Sequence, residues 1–149
     1  MNSDDYMLEG CSECKPLMDA CTLSVYKHNA FRITGLFADA SVRDIKRRID
    51  DLKHAEELGD AENEHTHAFA LIPPPDLDQI REAAQKLQDP ERRIIEEFFW
   101  FWPIEWGNSK HDPSLLALAN GDRQLACNAW SQGLSSDDAI ARIVSKHNL

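Results

Sequence analysis

Three of the chain's four cysteines lie near its start, as Cys11-Ser12-Glu13-Cys14 followed by Cys21. A C-x-x-C pair lets two thiolates reach one metal ion, and Cys21 supplies a third sulfur, so zinc is the chemistry these residues suggest. A fourth ligand would have to come from afar, from His28 or Cys127, because no second C-x-x-C or C-x-x-H follows at a suitable distance. The competing reading is a segment with free or buried thiols. A thioredoxin-like redox pair would need a βαβ pattern around it, and none is present. A second cluster, His65-Thr66-His67 with Glu62 and Glu64, could also ligate a metal, although solvent-facing loop histidines are the commoner case. No phosphate loop, Gly-x-Ser-x-Gly elbow or His-Glu-x-x-His pair occurs. No catalytic residue is therefore assigned, and the chain reads as a non-enzyme.

The other chemistry on offer is recognition. Arg43, Lys46, Arg47 and Arg48 form a cationic group, and Phe98-Phe99-Trp100-Phe101-Trp102 is a run of five aromatics. Helices must position both. Ser41 with Asp44 three residues on is a capping box, and Val42, Ile45, Ile49, Leu52 and Ala55 make one apolar stripe. The basic residues fall on the opposite face together with Asp50, Asp51 and Lys53, and a merely solvated surface is the competing reading. Successive helical residues point about 100° apart, so five consecutive aromatics cannot all face one core. Some must pack on another element, and the C-terminal segment is the expected one. The alternative is an exposed aromatic docking patch.

Upstream, Tyr26, Ala30 and Ile33 fit one face of a helix spanning Leu23 to Leu36, with Gly35 as its C-cap. Downstream of three consecutive prolines, Asp76 caps a stripe of Leu77, Ile80, Ala83, Ala84 and Leu87 that ends at Gln88. Phe69, Leu71 and Ile72, just before the prolines, are expected to fold back onto the helices. Asp89-Pro90 starts the next helix, since proline suits the first helical position. Asp112-Pro113 repeats that start ahead of Leu115 and Leu116, with Gly121 as the stop. Leu125, Ala126, Ala129 and Trp130 mark another helix, stopped by Gly133. Ser135 and Asp138 read as a capping box for a last one carrying Ala139, Ile140, Ile143 and Val144.

A formal net charge of −10 argues against a nucleic-acid-binding surface, which needs a basic footprint. No apolar run reaches the roughly 18–20 residues that span a bilayer. The start, Met1-Asn2-Ser3-Asp4-Asp5, is acidic where a signal peptide is basic. A cytoplasmic protein is expected, and there the cysteines would not form a disulfide framework.

In order and spacing, Asn29-Ala30-Phe31-Arg32-Ile33-Thr34-Gly35-Leu36, the helix opened by Ser41, and Leu87-x-Asp89-x-x-x-Arg93 resemble a J-domain, the helical module of the DnaJ co-chaperones. The resemblance covers about half the chain. It implies an antiparallel helical bundle whose second helix, with Arg43, Lys46, Arg47 and Arg48, meets an Hsp70-type chaperone. The His-Pro-Asp tripeptide with which J-domains trigger Hsp70 is absent, and His111-Asp112-Pro113 has those residue types in another order and outside the unit. Stimulation of the Hsp70 ATPase is therefore not implied. The stretch from Leu116 to Trp130 loosely resembles tetratricopeptide-type repeats.

The fold class expected is all-α, a J-domain-like antiparallel bundle with additional C-terminal helices packed on it. Residues 1–22 would be a cysteine-containing segment, 23–106 the J-like domain and 107–149 a C-terminal helical segment that continues in a longer protein. The function expected is a protein-interaction or chaperone-associated module. Its candidate partner-binding residues are Arg43, Lys46, Arg47, Arg48, Trp100 and Trp102. The alternative is a small zinc-binding helical module using Cys11, Cys14 and Cys21. That alternative predicts stoichiometric zinc in protein purified without added metal, lost on Cys11→Ser or Cys14→Ser. Metal-free protein by elemental analysis would dispose of it.

Overall fold

A computed structural model describes Cys21, residues 24–58, Phe69 and residues 71–149. Among these residues the chain is all-α, a packed helical bundle without strands. The first apolar stretch does not form one helix. It divides into α1 (Val25–His28) and α2 (Ala30–Thr34), because Asn29 takes an extended conformation between them. The Asn29 side chain accepts from Phe31 N at 3.0 Å and donates to Glu96 O at 2.8 Å. An N-cap bond thus outcompetes helix continuation. Gly35 ends α2 in the left-handed conformation (φ 72°), as its position predicts.

Helix α3 (Val42–Leu58) begins with the expected capping box. Asp44 Oδ2 accepts from Ser41 N at 2.8 Å, and Ser41 Oγ accepts from Asp44 N at 3.2 Å. Ile45, Leu52 and Ala55 are buried and Ile49 half-buried, but Val42, at the helix's first position, is exposed. Helix α4 (Leu77–Gln88) opens on a reciprocal Asp76–Gln79 box and buries Ile80, Ala83, Ala84 and Leu87. Helix α5 (Pro90–Phe98) starts at the proline, with Asp89 accepting from Glu91 N and Arg92 N. Helices α2, α3 and α5 all pack on α4. Their core joins Ala30, Phe31, Ala38, Ile45, Ala83, Ala84, Leu87 and Trp100.

A 3-10 turn (Ser109–His111) leads to α6 (Pro113–Ala119), α7 (Arg123–Gly133) and α8 (Ala139–Asn148). Helix α6 packs on α7 and α7 on α8. A second cluster holds Leu115, Ala117, Ala126 and Trp130. Gly133 does more than end α7. A Cβ there would run into Ser145 Oγ on α8, so glycine permits the close approach of the two helices. Helix α8 starts later than expected. Asp138, not Ser135, is its N-cap, accepting from Ile140 N at 2.9 Å. Its buried face is Ala141, Val144, Ser145 and Asn148, and the expected core residues Ile140 and Ile143 are exposed instead.

The aromatic run joins the two clusters. The Phe101 ring packs against both, stacked on Trp130 at 5.5 Å and on Tyr26 at 5.9 Å. Trp102 stacks on His147 of α8 at 3.8 Å. The C-terminal helices are thus the partner that the run requires. Phe69 folds back as expected, edge-on to Trp100 at 5.0 Å. Ile72 does not: it is 93% exposed, and Pro75 takes the buried position in that stretch.

Trp100 is 3% exposed and contacts both Phe69 and Phe101. Trp100→Ala should therefore cost about 3–5 kcal/mol of unfolding free energy in a denaturant titration. An unchanged midpoint would contradict its place in the core.

Candidate functional site

The capping box fixes where α3 starts, and the burial of Ile45, Leu52 and Ala55 fixes which way it faces. Arg43, Lys46 and Arg47 are consequently exposed. Arg48 is different: half-buried, it donates through Nε to Thr34 O at 3.0 Å, tying α3 to the end of α2. It supports the fold as well as contributing charge.

A second element completes this surface. Asp39, in the turn before α3, accepts from Gly107 N at 2.9 Å and Ser109 N at 3.0 Å through one carboxylate oxygen. That carboxylate pins residues 107–111 beside α3 and encloses a cleft of about 540 Å³ lined by Arg47, Arg48, Asp44, Asp51, Lys110 and His111 among others. Lys110 and His111 are exposed there, with His111 Nδ1 2.8 Å from Asn108 Oδ1. Sequence reasoning missed both, because they lie more than sixty positions from Arg47 and no periodicity links them. The hint lay in Asp39, an acidic residue outside any capping position.

Electrostatically the cleft is mixed. The Asp44 carboxyl is held below the usual carboxylate range, chiefly by hydrogen bonds from the Ser41 hydroxyl and amide, with further help from Lys110 and Arg43. It stays ionised beside the cations and moderates their field. What the arrangement can do is bind. It offers exposed cationic side chains, and among the described residues that line it no nucleophile is hydrogen-bonded to an activating base.

The two tryptophans assigned to partner binding lie elsewhere. Trp100 is in the core and offers a partner no surface. Trp102 is half-buried. Its Nε1 donates to Glu97 O at 2.8 Å, and its backbone N–H and C=O pair with the Asn148 side chain at 2.9 Å each. Trp106, at 56% exposure, is the accessible tryptophan, next to exposed Ile104, Ile140 and Ile143 in a shallow apolar groove.

Cys11 and Cys14 lie outside the described residues, as do Glu62, Glu64, His65 and His67. Cys21 and Cys127 are exposed free thiols. Among the described residues no group of three His, Cys, Asp or Glu side chains converges as metal ligands. No helix among them is long and apolar enough to cross a membrane.

Removing the Ser41 hydroxyl should destabilise the protein by about 0.5–2 kcal/mol, the usual worth of an N-cap. The pH dependence has a definite sign. A carboxyl whose folded pKa is depressed contributes stability that is present above its unfolded pKa and lost as pH falls through the folded one. The gap between wild type and Ser41→Ala in denaturant titrations should therefore narrow in acid. A gap independent of pH would show that Asp44 takes no part in it.

No family model matches this chain, and comparison with curated proteins and with solved structures returned no match.

Proposed function

We propose that this chain is a J-like, chaperone-associated interaction module that binds a protein partner of the Hsp70 kind through the outward face of α3, without the ATPase stimulation that His-Pro-Asp J-domains produce. The observation that carries this reading is the orientation of α3. Ile45, Leu52 and Ala55 of its apolar stripe are buried while Arg43, Lys46 and Arg47 are exposed, and Arg47 lines one cleft with Lys110. In a chain of net charge −10, the field of these cations attracts an acidic surface at close range, moderated by Asp44 and Asp51 in the same cleft. Such a field speeds encounter with an acidic partner surface and orients it.

The resemblance in Leu87, Asp89 and Arg93 supports the same reading, because each has a structural task. Leu87 is buried, Asp89 caps α5, and Arg93 donates to Ala38 O at 3.1 Å and Ala40 O at 2.8 Å. A pattern whose members build the joint between successive helices can persist after a catalytic trigger is gone. The absence of His-Pro-Asp from the sequence is what separates this reading from that of an active co-chaperone.

Two measurements test it. Single-turnover ATP hydrolysis by an Hsp70 should be unchanged by this protein while a His-Pro-Asp J-domain accelerates it. Acceleration would mean that other residues rebuild the trigger. In a direct binding assay with the same Hsp70, the Arg43→Glu/Arg47→Glu double variant should bind about tenfold more weakly, or about 1.4 kcal/mol, with unchanged helicity. Arg48 is left intact because its bond to Thr34 O belongs to the fold. Equal capture by the variant would mean that α3 presents a merely solvated face.

A further inference from the structure

On another face, α1, the end of α2 and the α6–α7 hairpin enclose a cleft lined by Tyr26, Arg32, Phe101, Arg123, Cys127 and Trp130, among others. No carboxylate is among the described residues that line it, although the chain has 26 acidic residues against 16 Lys and Arg. Neither arginine makes an ion pair with a described residue. Arg32 donates through Nε to Phe69 O at 3.3 Å, which orients the guanidinium, and no described residue accepts from its terminal N–H groups. Arg123, at the start of α7, is exposed. Burial, and then repulsion from Arg123, lowers the affinity of Arg32 for its proton, so the two cations feel one another across the cleft. The same cleft is lined by an aromatic stack in which Phe101 lies between buried Trp130, with planes 7° apart, and Tyr26, which at 52% exposure is the open end of the stack.

We infer that this cleft binds a small aromatic oxyanion, its charged group held by Arg32 and Arg123 and its ring laid on Tyr26, the exposed end of the Tyr26–Phe101–Trp130 stack. An anion placed there relieves the repulsion between the guanidiniums. It also gains charge-assisted hydrogen bonds whose planar donors suit a carboxylate or a phosphate alike. The ring covers the exposed surface of Tyr26 and extends the stack outward by one member. The cleft is a site separate from the α3 face, and nothing in this inference depends on the J-like reading.

The test follows the backbone amide signal of Tyr26 in the isotope-labelled whole chain during titration with phenylacetate and with phenyl phosphate. Benzyl alcohol supplies the ring without charge, and inorganic phosphate the charge without a ring. Both aromatic anions should shift the signal saturably, and the tighter one identifies which oxyanion the site prefers. The two controls should bind at least about tenfold more weakly, a difference of about 1.4 kcal/mol. Arg123→Gln, a change at an exposed position, should weaken the aromatic anions by a similar factor, with Arg123→Lys intermediate. Equal binding of benzyl alcohol would reduce the site to an apolar hollow, equal binding of inorganic phosphate to a general cationic patch. Absence of saturable shifts from the aromatic anions, or an unaffected Arg123→Gln protein, would overturn the inference outright.

Discussion

The guanidinium of Arg93 holds the first half of the fold in register. It donates to the carbonyls of Ala38 and Ala40, pairs with Glu97 at 2.6 Å and lies 5.8 Å from the centre of the Phe31 ring. Both alanines are buried, so without Arg93 two carbonyls would lose their partners in a poorly hydrated turn. That turn sets the angle between α2 and α3 and carries Asp39, whose carboxylate positions Lys110 and His111. The geometry of the cationic face therefore rests on a bond made from α5. Asn29 closes the loop from the other side, capping α2 while donating to the carbonyl of Glu96.

The second constraint is the aromatic seam. A run such as Phe98 to Trp102 could satisfy itself only by dividing its rings among different neighbours. Trp100 goes inward to Phe69, Phe101 goes sideways to Tyr26 and Trp130, and Trp102 goes to His147. The backbone of Trp102 is held by Asn148, and His147 bonds the Trp100 carbonyl at 2.8 Å. The last turn of α8 thus satisfies the polar groups of a segment that has left its helix. This joins residues 113–149 to the N-terminal helices through both apolar and polar contacts.

Charge is distributed to match. Acidic residues cap helices: Asp76, Asp89, Asp112, Asp122 and Asp138 each accept backbone N–H groups at a helix start. They serve the fold. Among the cations, Arg43, Lys46 and Arg47 are exposed on α3, and Arg32 and Arg123 line the aromatic cleft. A chain of net charge −10 can in this way offer anions two local groups of cationic side chains.

Local signals in the sequence determined most of the helix boundaries, because caps and prolines act over three or four residues. Ser41 with Asp44, Asp76, Asp89-Pro90, Asp112-Pro113 and Gly35 all perform as their types and positions imply. The exposure of Arg43, Lys46 and Arg47 was legible too, since a stripe buried on one side dictates the other. Where two local signals competed, the tertiary structure decided. Asn29 breaks a helix that the apolar spacing would continue, because Glu96 supplies its second partner from across the fold. Asp138 displaces Ser135 as the cap of α8. Partnership lay beyond the sequence altogether. Which ring of the aromatic run turns inward, that Ile140 and Ile143 stay outside, and that Lys110 lies beside Arg47 all depend on contacts between residues far apart in the chain. Periodicity assigns a residue to a face of its helix, but only packing against the remaining helices decides whether that face meets another surface or water.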